Sequence, residues 1–410
     1  MKTTEQKVPA LRFPEFEGEW EEKKLGEVLT IFNGYAFSSS DATTNGTSWV
    51  KIANVGIQEM RNDDLSYLPS TFKEDYSKFL LKEGDYIIAL TRPILNGKLK
   101  VAEVSAFFNN SLLNQRVGKI VSNESQPFIY CLLQLNKVIH EIENNIAGTD
   151  PPNLSPKDID SIKFSFPSLP EQQKIADFLS ATDKRLELLK EKKQGLEDYK
   201  RGAMQGIFSQ ELRFTRADGS AYEDWEEKKL GEVCEVMRGT SFSKSEMVEE
   251  GEMKCIHYGE LFTEYKEVIS FISSRTNITK GVFSHKGDVL MPTSDVTPNG
   301  LARASALSIE NVLLGGDMNI IRIQKRLLSV FLSYFLNFDK QNIIRLVTGT
   351  TVKHIYASDI KSLDIPLPSL SEQAQIANFL SAIDVKIEKL SEQIEATENY
   401  KKGLLQQMFV

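Results

Sequence analysis

Cysteine is scarce in this sequence: Cys131, Cys234 and Cys255 are the only three in 410 residues. They lie far apart and form no C-x-x-C, so no disulfide framework is indicated. Cys234, Cys255 and His257 are the one trio that could be drawn toward zinc, but a structural site wants four ligands at tighter spacing, and no metal is expected. Histidine is equally sparse, with four residues, and no pair has metal-ligand spacing. No apolar run approaches the roughly 20 residues that a bilayer span needs. The opening "MKTTEQKVPA" lacks the apolar core of a signal peptide, so a cytoplasmic protein without a membrane partner is expected. No Gly-x-x-x-x-Gly-Lys-Ser/Thr loop is present to cradle a nucleotide. An excess of positive charge is also missing: 49 Lys and Arg face 57 Asp and Glu, a net charge of −8. That argues against a protein that coats nucleic acid non-specifically, and leaves a local basic face open.

What the chain does have is a repeat. "PSLPEQQKIADFLSATD" at 167–183 returns as "PSLSEQAQIANFLSAID" at 368–384, an offset of 201 residues. "YKRGAMQGIF" (199–208) and "YKKGLLQQMF" (400–409) share that offset, as do the Leu-Arg-Phe triplets at 11–13 and 212–214. "WEEKKLGEV" occurs at 20–28 and 225–233, so the second copy holds a four-residue insertion. The middles, about 35–147 and 240–348, diverge to a skeleton: "GDYIIAL" (84–90) beside "GDVLMPT" (287–293), and "NGK" (96–98) beside "NGL" (299–301). Runs such as "YIIAL", "VGKIV" and "NIIRI" predict strands. Residues 128–146 and 327–347 predict one amphipathic helix per unit, each stopped by Gly-Thr at 148–149 and 349–350.

After each Pro-Ser-Leu the pattern becomes a long helix with a four-three seam. Ile175, Leu179, Leu186, Leu189 and Leu196 mark it in the first copy, and Ile376, Leu380, Ile383, Ile387, Leu390 and Ile394 in the second. Ser371 before Glu372 fits a helix start. Such seams zip two helices together or cover a neighbouring domain. About forty residues make a rod of roughly 60 Å. An antiparallel pair would bring Val410 back to Leu11, and the recurrence of Leu-Arg-Phe supports that. The expected fold is α+β: two mixed α/β domains separated by two long antiparallel coiled-coil helices in a pseudo-two-fold tandem repeat. Its expected parts are 1–166, a helical spacer at 167–209, 210–367, and a second spacer at 368–410.

Two different globular units on one stalk suggest two targets read at a fixed separation, and DNA suits such a ruler. Residues 88–121 hold Arg92, Lys98, Lys100, Arg116 and Lys119 against Glu103 alone, with Asn96, Asn114 and Gln115 interleaved. Arg and Lys pair with guanine or phosphate, Asn and Gln with adenine. A solvated basic loop is the alternative. Tyr35, Phe37 and Ser38 lie in "GYAFS", matched by "GTSFS" with Thr240 and Ser241, after Arg238. These stretches are base readers or simply turns. In the second unit residues 290–325 are charge-neutral, which leaves Thr293, Asn299, Arg303 and Asn319 as candidates, with His257 and Tyr258. No catalytic residue is identified. "DPPN" (150–153) is similar to the Asp-Pro-Pro-aromatic motif of adenine methyltransferases but lacks the aromatic, and its counterpart "TTVK" places it outside the duplicated skeleton.

The doubled Pro-Ser-Leu-x-Glu-Gln-x-x-Ile-Ala-x-Phe-Leu-Ser-Ala-x-Asp segment, the two long helices and the divergent middles resemble the specificity subunit of type I restriction–modification enzymes. The resemblance covers nearly the whole chain. It implies a non-catalytic reader of double-stranded DNA, with each target-recognition domain taking one half of a split asymmetric site. It further implies helical regions that dock two methyltransferase subunits, which bring S-adenosylmethionine, and restriction/translocase subunits, which bring ATP and Mg2+. The chain itself needs no cofactor. A DNA adenine methyltransferase using Asp150–Asn153, and a coiled-coil adaptor without a DNA role, are the alternatives.

Overall fold

The computed structural model describes residues 8–146 and 150–410. Contacts divide the chain into two compact units. The first takes the residues up to Lys190 together with Glu392–Val410, and the second takes Glu191–Ser391. The fold is mixed α+β, duplicated in tandem. The long helices Leu169–Phe208 and Leu370–Gln407 each contribute one half to either unit.

The first unit is built on a four-stranded antiparallel sheet in the order Leu29–Asn33, Val117–Ser122, Tyr86–Ala89, Val101–Glu103. Successive residues of a strand face opposite sides. Tyr86 and Ile88 therefore enter one core, with the helices Gln126–Leu132 and Asn136–Ile146, while Ile87 and Ala89 enter a second, with Val50, Leu81 and Phe108. With both faces covered, the strand reads as a continuous apolar run rather than an alternating one. The second unit repeats the scheme: Cys234–Arg238, Met318–Ile323, Val289–Pro292 and Ser305–Leu307 are antiparallel neighbours, with Val268–Ile269 added in parallel at the edge. Val289 and Met291 face one core and Leu290 the other.

The repeated text has structural causes. In "WEEKKLGEV" the Glu-Glu-Lys-Lys residues form a strand in each unit, Glu21–Lys24 pairing with Lys163–Phe166 and Glu226–Lys229 with Asp364–Leu367. The Glu-Gln pair of the long helices is buried. Glu171 accepts from Arg12 Nε and Nη2 at 2.7 and 2.8 Å, and Glu372 from Arg213 at 2.8 and 3.1 Å. Gln172 donates to Pro167 O at 2.9 Å, and Gln373 to Pro368 O at 2.8 Å. Leu-Arg-Phe and Glu-Gln are thus the two jaws of one clamp that ties the segment before each unit's first strand to a helix start. Gly84 and Gly287 have φ of +82° and +92°, which glycine adopts without strain. The following Asp85 and Asp288 cap their turns and take Lys119 and Arg322 from the adjacent strand, both at 2.8 Å or less.

The four-three seam is buried along most of its length. In the first unit Asp183 meets Lys401 at 2.6 Å and Lys190 meets Glu398 at 2.8 Å, so the two helix segments run antiparallel. In the second, Lys200 meets Asp384 at 2.7 Å and the Tyr199 ring meets Phe379, again antiparallel. The seam also covers the globular bodies: Ile175, Leu179, Leu404 and Met408 belong to the first unit's core, and Ile207, Ile376, Leu380, Ile383 and Ile387 to the second's. Each such fully buried aliphatic side chain contributes about 1.5–3 kcal/mol. Leu186 and Leu390 are buried, whereas Leu189, Leu196 and Ile394 are half-buried. Leu11 N donates to Gln407 O at 2.8 Å, and the Trp20 and Phe128 rings meet Phe409, so the first unit closes on the end of the second helix as the repeat implied.

Several expectations are corrected. Each predicted domain helix is two helices: Gln126–Leu132 and Asn136–Ile146, then Ser329–Phe338 and Lys340–Arg345. The first break turns the Gln134 side chain toward Lys401, and Asp339, with ψ +31°, makes the second. Gly-Thr 148–149 falls outside the described residues, and the later helix ends at Arg345, before Gly349. The second long helix begins at Leu370, and Ser369 rather than Ser371 caps it, accepting from Glu372 N. The two Asn-Gly pairs are not equivalent. Asn96 and Gly97 have φ of +51° and +70° and turn the hairpin Ile94–Leu95/Lys98–Leu99, as an Asn-Gly type I′ turn does. Asn299-Gly300 lies in the short helix Pro298–Leu301, started by Pro298 and the Thr297 hydroxyl.

Candidate nucleic-acid interface

Three loops of the first unit leave the same end of the sheet. Gly118 pairs with Asn33 and Val117 with Ala89, so the strands ending at Asn33 and Ala89 and the strand beginning at Val117 meet there. Tyr35, Arg92, Gln115 and Arg116 follow within a few residues. Main-chain bonds join them: Gln115 N to Tyr35 O at 2.9 Å, and Leu90 N to Arg116 O at 2.9 Å. Gly34 is needed here, because a Cβ would sit 2.2 Å from Leu113 O. The second unit repeats the arrangement with Arg238 opposite Asn319, Pro292 opposite Met318, and Thr240 N bonded to Leu314 O at 2.8 Å. Gly239 is required for the same close approach, its Cβ position lying 2.1 Å from Gly315 O.

The candidates then separate by what their side chains do. In the first unit Arg92, Asn96, Lys98, Gln115 and Arg116 are exposed. Asn114 is half-buried, its side chain accepting from Arg116 N at 2.9 Å. Tyr35 is 40% exposed and sits on the rings of Phe37, Tyr76 and Phe79, with centroids 4.6–5.4 Å away. Phe37 itself is core, packed with Trp49 and Phe72, and the Ser38 hydroxyl caps a turn by accepting from Ser40 N. Lys100 is tied to Ile52 O at 2.9 Å, and burial, then Arg61, push its ammonium below its ordinary value. Lys119 is held by Asp85. The cations of 88–121 left exposed are thus Arg92, Lys98 and Arg116, because a sequence window cannot see the Asp85 carboxylate and the Ile52 carbonyl outside it.

In the second unit Arg238, Ser241 and Asn299 are exposed and Thr240 is half-buried. Asn319 is wholly buried and donates to Ile355 O at 3.2 Å; Thr293 is 3% exposed. Arg303 gives its guanidinium to Leu261 O and Phe262 O at 3.1 and 2.6 Å. His257 accepts from Gly259 N at 3.3 Å through Nδ1 and meets the Phe242 ring edge-on and the Tyr258 ring at a tilt. Asn319 and Thr293 are therefore buried away from any surface, and half-buried Arg303 has its guanidinium turned to main-chain carbonyls. Cys234 donates to Leu230 O at 3.0 Å, Cys255 is fully buried, and burial pushes their thiols up to about 12 and about 11. Among the described residues no group of three His, Cys, Asp or Glu could hold a metal ion. No helix among them is long and apolar enough to cross a membrane.

Two stretches, residues 17–198 and 222–398, match the family described as the type I restriction modification DNA specificity domain. The chain belongs to that family. Of its relatives, the MjaVIII specificity subunit of Methanocaldococcus jannaschii is 31% identical over 48% of this chain and 47% of its own length, so the chain spans about half of that relative. The putative MjaX specificity subunit of the same organism is 24% identical over 94% of this chain and 92% of its own. A type I restriction–modification S subunit from M. genitalium shares the fold, with a TM-score of 0.64, 15% identity, and coverage of 98% and 99% of the two chains. Membership places both repeated units of this chain among DNA specificity domains of type I restriction–modification systems.

Against that family, two features stand out that the sequence did not announce. Lys51 adjoins the Asn114 loop, since Asn114 N donates to Val50 O, and its ammonium lies 4.3 Å from the Trp49 ring centroid. In the second unit Val296 is 73% exposed, on a loop fixed by Asp295 bonds to Val296 N and Thr297 Oγ1. An exposed valine at a loop tip suits a thymine methyl. Asp150–Asn153, the segment similar to a methyltransferase motif, is consumed structurally: Arg92 N donates to Pro152 O at 2.8 Å and Leu154 N to Leu90 O at 2.7 Å. Its topological counterpart exists after all, because Ser294 and Asp295 pair with His354 and Lys353. Matching by wording hid an equivalence that strand pairing reveals.

Proposed function

We propose that each unit reads one half of a split asymmetric DNA site with the loops at this end of its sheet. In the first unit Arg92, Asn96, Lys98, Gln115 and Arg116, beside the Tyr35 ring, face the duplex. In the second the contacts come from Arg238, Thr240, Ser241, Asn299 and Val296, with fewer charges. The observation that carries the reading is the convergence of three loops, two of which hold Arg92, Lys98 and Arg116, exposed and without an ion-pair partner among the described residues. The domain bounds 1–166 and 210–367, with helical spacers at 167–209 and 368–410, belong to the same proposal. So do docking of two methyltransferase subunits and of restriction/translocase subunits, with S-adenosylmethionine, ATP and Mg2+ bound by those partners, and a cytoplasmic location.

The test is binding of Arg92→Ala and Arg116→Ala to duplex DNA across a salt series. A base-edge contact gives a loss of about 1–3 kcal/mol confined to one position of the site. A phosphate contact lowers affinity for every sequence and reduces the salt slope by about one. Parent-like binding by both variants would sink the assignment of this face.

A further inference from the structure

Resting on that reading, we infer that Asn153 is a positioning residue for DNA recognition: its bond to Thr91 braces the Arg92–Lys98 hairpin and so sets the first unit's base preference. Arg92 has φ +49°, a left-handed conformation that arginine rarely adopts. It is held there by its N–H bond to Pro152 O, one of a pair of main-chain bonds on either side of Thr91 and Asn153. The buried Thr91 hydroxyl donates to Asn153 Oδ1 at 2.8 Å, and Asn153 Nδ2 donates to Pro151 O at 2.9 Å, so one amide fixes both the neighbouring loop and its own. On the far side Lys100 N closes the hairpin on Pro93 O at 2.7 Å. Arg92 and Lys98 therefore stand on a short hairpin whose base is held by a segment some sixty residues away in sequence. The second unit uses the same device with other residues: Ile355 N donates to Thr293 O at 3.1 Å, and buried Asn319 secures Ile355 O. The device persists where the wording does not, so its role is geometric. A side chain on a long arm must be placed closely to pair bidentately with a base, whereas phosphate attraction tolerates movement. Loosening the brace should therefore degrade sequence preference and spare general affinity.

The full chain is used to select from random-sequence duplexes, with parent, Asn153→Ala, Thr91→Val, the double variant and Arg92→Ala compared. Asn153→Ala and Thr91→Val should each lower enrichment at one half-site about fivefold, the loss expected of one hydrogen bond, and the double variant should do no worse. Preference at the other half-site, affinity for the unselected pool and its salt slope should stay at parent values, and the Arg92 amide should exchange hydrogen faster. If Arg92→Ala erases preference while Asn153→Ala keeps it, the positioning role is wrong although the hairpin reads DNA. Loss of both half-sites in Asn153→Ala also overturns it, because the brace touches one unit. If Arg92→Ala keeps full preference, the reading of the hairpin fails and the inference with it.

Discussion

Lys401 in the first unit and Lys200 in the second hold equivalent seam positions, yet different chemistry meets them. Lys401 is buried between Asp183 at 2.6 Å and two neutral amides, Gln58 and Gln134, each at 2.9 Å. Lys200 lies between two carboxylates, Glu267 and Asp384, both at 2.7 Å, and 5.1 Å from the Tyr334 ring centroid. The aspartate comes from the repeated helices in both cases, while the remaining partners come from the divergent middles. The stalk thus offers the same cation twice, and each globular body answers with its own acceptors. The proposed reading ends differ in the same sense: the unit that is more acidic at its lysine also carries the less basic loops.

The sharpest way to break this comparison is at the clamp. Glu372→Ala leaves Arg213 with Glu223 O in place of a carboxylate and Trp225 Nε1, which donates to Glu372 at 2.9 Å, without its acceptor. In the first unit Trp20 Nε1 finds no acceptor among the described residues, so Glu171→Ala takes an acceptor from Arg12 alone, which keeps Gly18 O and Glu17 O. We expect a loss of about 3–5 kcal/mol for Glu372→Ala, with Glu171→Ala milder by about one hydrogen bond, 1 kcal/mol. Urea unfolding followed by hydrogen exchange in each unit measures both; equal losses would deny the tryptophan a role. Next, Lys200→Met leaves two acidic groups facing one another, at about 3 kcal/mol, whereas Lys401→Met leaves one aspartate and two amides, at about 1–2 kcal/mol. The reverse order would show that the amides, not the carboxylates, depend more on their lysine.

The smallest effect is in pH. Burial pushes the Glu267 carboxyl up, but Lys200 outweighs it and holds the group below its ordinary value of 4.5. The folded form then binds that proton less readily than the unfolded chain. The stability Glu267 contributes is present above its ordinary value and lost as pH falls through the depressed one. The second unit should lose more stability on acidification through this window than Glu267→Gln does. Parallel acid curves for parent and variant would remove Lys200–Glu267 from the account.

The duplication, the strands "YIIAL", "VGKIV" and "NIIRI", and the four-three seam were legible because each is a local periodicity. The reading face was legible only in part. Arg92, Asn96, Lys98, Gln115 and Arg116 are exposed as their polarity suggested, but Lys100, Arg303 and Asn319 have the same chemistry and are bound inward, a distinction fixed by partners 36–48 residues away. The doubled Glu-Gln was visible as text, and its meaning was not, since its arginine partner lies 159 residues off in each unit. Asp150–Asn153 was misplaced because main-chain pairing is indifferent to side-chain identity.

The central claim is that each unit reads its own half-site through loops it braces itself. The most direct test exchanges residues 35–154, hairpin and brace together, for the corresponding segment of a relative with a different target, and selects from random-sequence duplexes with the full chain. The account predicts that one half of the selected site changes to the donor's and the other half stays as it was. A selected site altered in both halves, or in neither, would contradict it.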